Sequence, residues 1–186
     1  RRVQAIRSRA IIAAPAALAM LALSAAPLLA QTFHVKEADF EGGQWTVESI
    51  NAAQQGYSAN AERVRTGHEI GVGYGITPAW QVKGLVSFAT LDHETTRLQR
   101  AIMENVVVLE ALAEGKDGIG VAWFQAFEGA LVARETNVTI FGPTILLRFG
   151  KSELALNPFF EKSFGRNRTD GIDLVYGWQA RHELNS

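Results

Sequence analysis

The side chains best suited to chemistry in this chain are charged residues that recur at every second position of otherwise apolar segments. They comprise nine acids, Glu48, Glu69, Glu104, Glu110, Glu128, Glu153, Glu161, Asp173 and Glu183, and four bases, Lys83, Arg100, Arg148 and Arg181. Gathered on one face, they could line a water-filled pore whose acid excess favours cations, or they could form ion pairs that stiffen a filled barrel. Both interpretations need a fold that places the side chains of every second position on the same face.

Candidate catalytic and metal-binding residues form no recognisable motif. The four histidines are widely spaced: His34, His68, His93 and His182. The chain contains no cysteine, which excludes a thiolate nucleophile and a thiolate zinc site. Serines such as Ser87 and Ser163 could meet a histidine only through the fold, as in an outer-membrane lipase. We therefore predict no enzymatic activity, no metal and no cofactor.

The stretch GVGYG at 71–75 has the glycine content of a nucleotide-binding loop. A Rossmann loop must open a helix, whereas Thr77 and Pro78 follow this stretch and form a turn. Glycines that relieve crowding on the inner face of a curved strand explain the pattern better. The stretch therefore predicts a strand rather than a phosphate site.

The elements that must position the charged residues are predicted to be β-strands. Ile70, Val72 and Tyr74 alternate with Glu69 and Gly71, which is the period of a strand and not of a helix. The alternation recurs along the chain, and the predicted connections are 55–67, 77–79, 92–97, 112–118, 132–137, 150–152 and 165–171. About eight strands result, and the sequence shows no convincing long amphipathic helix after the first thirty residues.

The first hairpin sets the expected register of the sheet. Folding the chain about Pro78 pairs Ile76 with Trp80, Tyr74 with Val82 and Ile70 with Val86. This register puts apolar side chains on one face and polar side chains on the other.

Loop lengths and aromatic residues indicate an all-β fold, an antiparallel up-and-down transmembrane β-barrel of the outer membrane. Long and short connections alternate at six of seven places, as expected when long loops lie outside the cell and short turns in the periplasm. The predicted lipid-facing or girdle residues are Tyr74, Trp80, Phe88, Trp123, Phe149, Phe160, Tyr176 and Trp178. The predicted lumen-lining residues are Glu69, Lys83, Arg100, Glu104, Glu128, Arg148, Glu161, Asp173, Arg181 and Glu183.

A secreted or periplasmic soluble β-barrel that binds a small apolar ligand is the alternative. Such a barrel has the same alternation but hides its apolar face inside. Alternation alone leaves open which face points outward. The charge load on the polar face and the aromatic residues at strand ends favour the membrane barrel. Its expected role is that of a porin-like passive channel for small solutes or of a structural barrel.

Residues 1–30 have the three parts of a secretory signal peptide, and residues 31–186 form the predicted barrel domain. Four arginines precede an apolar Ala- and Leu-rich run, and cleavage is expected after Ala30. An uncleaved membrane anchor is the competing interpretation. Removal of the leader leaves 14 basic and 19 acidic residues, a net charge of −5. This charge, without a dense basic patch, argues against a nucleic-acid partner.

Five short motifs carry a resemblance to a known group of proteins. They are LNPFFEKSFGRN at 156–167, YGWQA at 176–180, VGYG at 72–75, VAWF at 121–124 and FGP at 141–143. With them, most of 33–184 resembles a porin-like group of outer-membrane β-barrel proteins from alphaproteobacteria. The resemblance implies residence in outer-membrane lipid and insertion by the barrel-assembly machinery. It also implies that such chains continue with further strands. If this sequence is a fragment, the whole barrel is wider and a pore fits it better; if it is complete, eight strands make a narrow barrel filled by side chains.

Overall fold

The computed structural model of the chain describes residues 36, 38, 40–53, 64–91, 95–113, 115–133, 135–166 and 168–184. The chain divides into two compact units, Arg1–Phe33 and His34–Ser186, and all described residues belong to the second. The predicted signal peptide lies outside the described residues. In the part that is described, no helix is long and apolar enough to cross a membrane.

Eight β-strands make up the second unit. They are β1 (Trp45–Ala53), β2 (Val64–Thr77), β3 (Trp80–Leu91), β4 (Arg97–Glu110), β5 (Gly118–Ala130), β6 (Asn137–Phe149), β7 (Ser152–Phe164) and β8 (Asp173–His182). Consecutive strands pair antiparallel in the order β1 to β8, which gives an up-and-down sheet that forms a half-barrel. The prediction of about eight antiparallel strands is confirmed. Across the described residues the sheet is open, because β1 and β8 do not pair.

The predicted strand limits agree with the structure within a few residues, and β2 shows the largest difference. It begins at Val64 rather than at His68. Val64 pairs with Leu91 and Thr66 pairs with Thr90. The first residues of β2 are therefore held in the sheet by the last residues of β3. Periodicity missed this extension because a register shift separates Val64 from Thr66 and interrupts the alternation.

The register of the first hairpin is confirmed in its centre and differs at its turn. Tyr74 pairs with Val82 and Ile70 with Val86, as predicted. The predicted pairing of Ile76 with Trp80 is wrong, because Trp80 lies opposite Thr77. A β-bulge between Gly75 and Thr77 causes the shift by inserting one extra residue into β2.

One face of the half-barrel buries polar side chains beside an apolar core that includes Leu85, Phe124 and Phe159, and the other face exposes large apolar side chains. Gln81, Glu104 and Asn157 are only 3%, 4% and 1% exposed, whereas Trp45 and Met103 are 72% and 57% exposed. Neighbouring positions of a strand point to opposite faces. The parity that carries most of the charged residues therefore forms the buried, concave face, and the apolar parity forms the exposed, convex face.

Two stacked phenyl rings form the centre of the concave face. Phe124 of β5 and Phe159 of β7 have ring centroids 4.8 Å apart and planes inclined by 16°. Gly142 of β6, with φ +154°, lies between these strands. A Cβ atom on Gly142 would lie 2.6 Å from the Pro158 carbonyl oxygen and 3.0 Å from Phe159 Cδ1. The glycine therefore allows two strands that are not neighbours to pack ring against ring.

Glycines of the GVGYG stretch lie on the concave face of β2. A Cβ atom on Gly71 would lie 2.5 Å from Leu85 Cγ, and one on Gly73 would lie 2.5 Å from Thr46 Oγ1. Both positions are buried and closely packed. The interpretation of these glycines as residues that relieve inner-face crowding is confirmed.

Connections differ between the two ends of the sheet. One end carries 78–79, 111–117 and 150–151, and the other carries 54–63, 92–96, 131–136 and 165–172. The predicted alternation of short and long connections is present, and 111–117 is again the exception among the short ones.

The segment before β1 packs closely against the end of β2. The Gly43 N–H donates to the Gly75 carbonyl oxygen at 2.6 Å, and the Gly75 N–H donates to the Gln44 carbonyl oxygen at 3.0 Å. A Cβ atom on Gly75 would overlap the Glu41 carbonyl group. This close backbone approach therefore requires glycine at position 75.

We expect Gly75→Ala to destabilise the protein by about 1–3 kcal/mol, the usual cost of forcing a methyl group into a packed contact. The new side chain would push the Glu41 backbone away from β2. Gly84→Ala is the matched control, because a Cβ atom there meets no atom within 4 Å. Urea titrations in detergent micelles measure the free energy of unfolding of both variants. Equal stability of the two would contradict the close packing at Gly75.

Candidate functional site on the concave face

An ion pair between Lys83 of β3 and Glu48 of β1 crosses the intervening strand β2. The distance from Lys83 Nζ to Glu48 Oε2 is 2.8 Å, and both side chains are largely buried. Gly73 of β2 leaves room for the crossing, because a Cβ atom there would lie 2.9 Å from Lys83 Cγ. The glycine that relieves crowding thus also gives the lysine its path.

Further ion pairs continue across the concave face toward β8. Arg100 Nη1 of β4 lies 3.3 Å from Glu128 Oε2 of β5. Arg148 of β6 and Arg181 of β8 share Glu153 of β7, with nitrogen–oxygen distances of 2.6 Å and 3.8 Å. These groups are partly withdrawn from water, so salt screens them less than it screens ion pairs on an open surface.

Lys36, which precedes β1, lies on the concave face and contacts three strands. Its Nζ atom is 2.7 Å from Glu104 Oε1 of β4 and 5.7 Å from the centroid of the Phe124 ring of β5. Asn157 of β7 holds its backbone, because the Lys36 N–H donates to Asn157 Oδ1 at 2.6 Å and Asn157 Nδ2 donates to the Lys36 carbonyl oxygen at 3.1 Å. An ion pair, a cation–π contact and two backbone hydrogen bonds thus hold Lys36 in place.

The Asn157 side chain is almost completely buried and depends on these hydrogen bonds. Its Nδ2 also donates to Thr144 Oγ1 of β6 at 3.2 Å. A buried amide is costly unless its donors and acceptors are paired. Asn157 therefore ties β6, β7 and the Lys36 backbone together.

The predicted lumen-lining residues lie mainly on the concave face. Nine of the ten occupy its strand positions: Glu69, Lys83, Arg100, Glu104, Glu128, Arg148, Glu161, Asp173 and Arg181. Glu183 follows the end of β8 and is exposed. Glu110, one of the wider set of charged residues, lies at the end of β4 beyond a bulge and is also exposed.

The eight predicted lipid-facing or girdle residues share the convex face. Six of them are exposed: Trp80, Trp123, Phe149, Phe160, Tyr176 and Trp178. The other two, Tyr74 and Phe88, are half-buried. Their rings meet other convex aromatic rings: Trp123 and Phe141 lie 6.4 Å apart, and Phe141 and Phe160 lie 5.9 Å apart. The convex face is therefore rich in aromatic contacts.

Two amide side chains interrupt the convex apolar surface. Asn105 and Gln125 lie opposite each other on β4 and β5. The Trp80 Nε1–H donates to Asn105 Oδ1 at 3.5 Å, which supplies Asn105 with one polar contact. Gln125 interrupts the alternation of β5, because its neighbours on the same face, Trp123 and Phe127, are aromatic.

Lys36 and Thr144 are site residues that the sequence did not reveal. Lys36 lies outside the alternating segments, so periodicity gives no signal for it. Thr144 and Asn157 have the parity of the concave face, and they lie opposite each other in the register that pairs Phe141 with Phe160 and Ile145 with Leu156. Their contact therefore follows from the pairing of β6 with β7.

A serine and a histidine meet on the outer side of the last two strands. Ser152 Oγ of β7 lies 2.9 Å from His182 Nδ1 of β8. A hydrolytic triad also needs an acid on the other ring nitrogen and donors for an oxyanion. Among the described residues, no acid is hydrogen-bonded to His182. The described residues therefore supply the serine and the histidine of such a site but no acid hydrogen-bonded to that histidine.

Within the described ranges, no group of three or more His, Asp or Glu side chains is placed to hold a metal ion. Comparison of the chain with protein families, curated proteins and solved structures gives no match.

We expect Asn157→Ala to lower the free energy of unfolding by about 2–4 kcal/mol. The variant removes hydrogen bonds to Thr144 and to both peptide groups of Lys36, and it leaves buried polar groups unpaired. Chemical denaturation in detergent measures the loss. Gln125→Ala, on the convex face, serves as a control and should not lower stability by more than about 0.5 kcal/mol. A similar loss in both variants would argue against the role of Asn157.

Proposed function

We propose that this chain belongs to a bacterial outer-membrane β-barrel that acts as a porin-like passive channel for small solutes and has no enzymatic activity. The exposure of large apolar side chains on the convex face carries the proposal. An exposed surface of aromatic and aliphatic side chains is unfavourable in water, whereas lipid solvates it. The concave face, in turn, carries the charged side chains that water in a lumen would solvate.

The convex face of β5 has the extent expected of a lipid-facing strand. Its exposed apolar residues run from Ile119 through Trp123 to Phe127. This stretch is close to the roughly 9–11 residues with which a tilted strand crosses the hydrocarbon core of a membrane.

The open edges of β1 and β8 favour a barrel with more than these eight strands. In hydrocarbon, each unpaired backbone donor or acceptor costs several kcal/mol, so a membrane sheet must close. A half-barrel of eight strands corresponds to a whole of about sixteen, the size at which barrels enclose an aqueous channel. Water in the lumen would solvate the charged concave face.

The charges on the concave face favour cations over anions. Among the described residues, Lys36 and the strand positions of this face include seven acids, Glu48, Glu69, Glu104, Glu128, Glu153, Glu161 and Asp173, and six bases, Lys36, Lys83, Arg97, Arg100, Arg148 and Arg181. Glu161 and Asp173 lie opposite each other, so two acids are adjacent at one end of the sheet. A lumen with this excess attracts small cations.

The alternative is a periplasmic soluble barrel that binds a small apolar ligand. Such a protein needs its apolar side chains in the interior, and the outward position of Trp45, Met103 and Trp178 disfavours it. The two proposals also differ in localisation. Fractionation separates them, because a membrane barrel stays with the outer membrane and a soluble barrel appears in the periplasmic extract.

The four tryptophans provide a direct test of membrane insertion. Trp45, Trp80, Trp123 and Trp178 are all exposed on the convex face. We expect brominated lipids to quench most of the tryptophan fluorescence of the reconstituted wild-type protein, because bromine atoms in the acyl chains would contact these rings. Iodide in the aqueous phase should have little effect.

The opposite pattern would contradict membrane insertion. Strong quenching by iodide and none by brominated lipid would mean that the convex face lies in water. Vesicles with unbrominated lipid of the same chain length provide the control for the lipid environment.

Ion selectivity tests the role of the lumen. In planar bilayers, we expect the wild-type channel to favour potassium over chloride. A unit charge about 10 Å from an ion in water changes its free energy by about 0.4 kcal/mol, or twofold in permeability. The double variant Glu161→Gln/Asp173→Asn should therefore reduce the selectivity ratio by about two- to fourfold.

Glu183→Gln is the matched control, since Glu183 lies beyond β8 and outside the concave face. It should leave the selectivity ratio unchanged. An anion-selective wild-type channel, or equal effects of the double variant and the control, would contradict the proposed lumen.

A further inference from the structure

The contacts of Lys36 identify a site with a defined ligand chemistry. We propose that the concave face carries a binding site for a primary ammonium group and that Lys36 is its built-in occupant. This goes beyond passive passage of solutes, because the site would bind an amine whether or not the barrel conducts.

Glu104 and Phe124 recognise the positive charge. Glu104 Oε1 lies 2.7 Å from Lys36 Nζ, and its side chain is only 6% exposed. The face of the Phe124 ring lies 5.7 Å from the same nitrogen, within the range of a cation–π contact. Both groups attract an ammonium ion, and the Glu104 carboxylate offers no hydrogen-bond partner to a neutral alkyl chain.

Glu104 also has capacity for a second hydrogen bond. Its Oε2 atom is buried and accepts no hydrogen bond from the described residues. Lys36 reaches only Oε1, because its backbone is fixed at Asn157. A free primary ammonium has three N–H donors and no tether, so it can approach both carboxylate oxygens.

Asn157 binds the peptide groups of Lys36 and not its ammonium group. Replacement of Lys36 by alanine therefore removes the side chain while both backbone hydrogen bonds can persist. The missing part is three methylene groups and one ammonium group. Propylammonium has this composition and is the matching soluble ligand.

Propylammonium binding to the full-length Lys36→Ala variant tests the proposal. In detergent at pH 8, we expect saturable binding by titration calorimetry and a rise in the thermal midpoint of the variant. The wild-type protein should bind at least about tenfold more weakly, because Lys36 competes for the charged hydrogen bond. Propanol, of equal length and without charge, should also bind at least about tenfold more weakly.

Two double variants show whether Glu104 is responsible. Lys36→Ala/Glu104→Gln should lose propylammonium binding by at least about tenfold. Lys36→Ala/Glu153→Gln is the matched control and should retain it, since Glu153 pairs with Arg148 and Arg181. Equal affinity of the wild type and Lys36→Ala, or binding that ignores the loss of the Glu104 charge, would overturn the proposal.

A second measurement applies if Lys36→Ala does not fold. The chain contains no cysteine, so a nitroxide on Ala38→Cys reports the segment next to Lys36 without competing thiols. Glu104→Gln should increase the mobility of this label, and Glu153→Gln should not. Unchanged mobility in Glu104→Gln would mean that the ammonium contact does not hold Lys36, and the proposal would fail.

Discussion

Neighbouring residues of a β-strand point to opposite faces, and in this sheet one set carries most of the charged side chains whereas the other is mainly apolar. A shift of one residue in any pairing would move charged side chains to the convex face and tryptophans to the concave face. The bulges at Gly75, Phe88 and Glu110 lie toward strand ends, where a local change of parity affects few residues. The middle of each strand keeps its register, and the charged cluster depends on it.

Curvature brings the concave side chains close together, so small residues become necessary there. Gly71, Gly73 and Gly142 all lie where an added Cβ atom would meet a neighbouring strand or its side chain. Ala122 and Ala126 flank Phe124 on the same face of β5, and both are buried. Large rings and long charged chains fit the concave face because their neighbours along and across the strands are small.

Much of this fold follows from the period of the sequence. The eight strands, their order and the face of Glu104 or Trp123 are properties of the alternation, which one chain displays directly. Which face points outward does not follow from the alternation, because it depends on whether water or lipid surrounds the sheet. The position of Lys36 also escapes periodicity, since it results from contacts between distant parts of the chain.

Three contacts on the concave face join strands that do not hydrogen-bond to each other. Lys83 joins β3 to β1, the Phe124 ring joins β5 to β7, and Lys36 connects β4 with β7 through Glu104 and Asn157. A flat sheet would separate these partners, so each contact is available only when the sheet is curved. The charged groups that would face solutes in a pore are therefore also the groups that stabilise its curvature. A cation that reached these carboxylates would compete with lysine and arginine for them, and such competition would link cation binding to the curvature of the sheet.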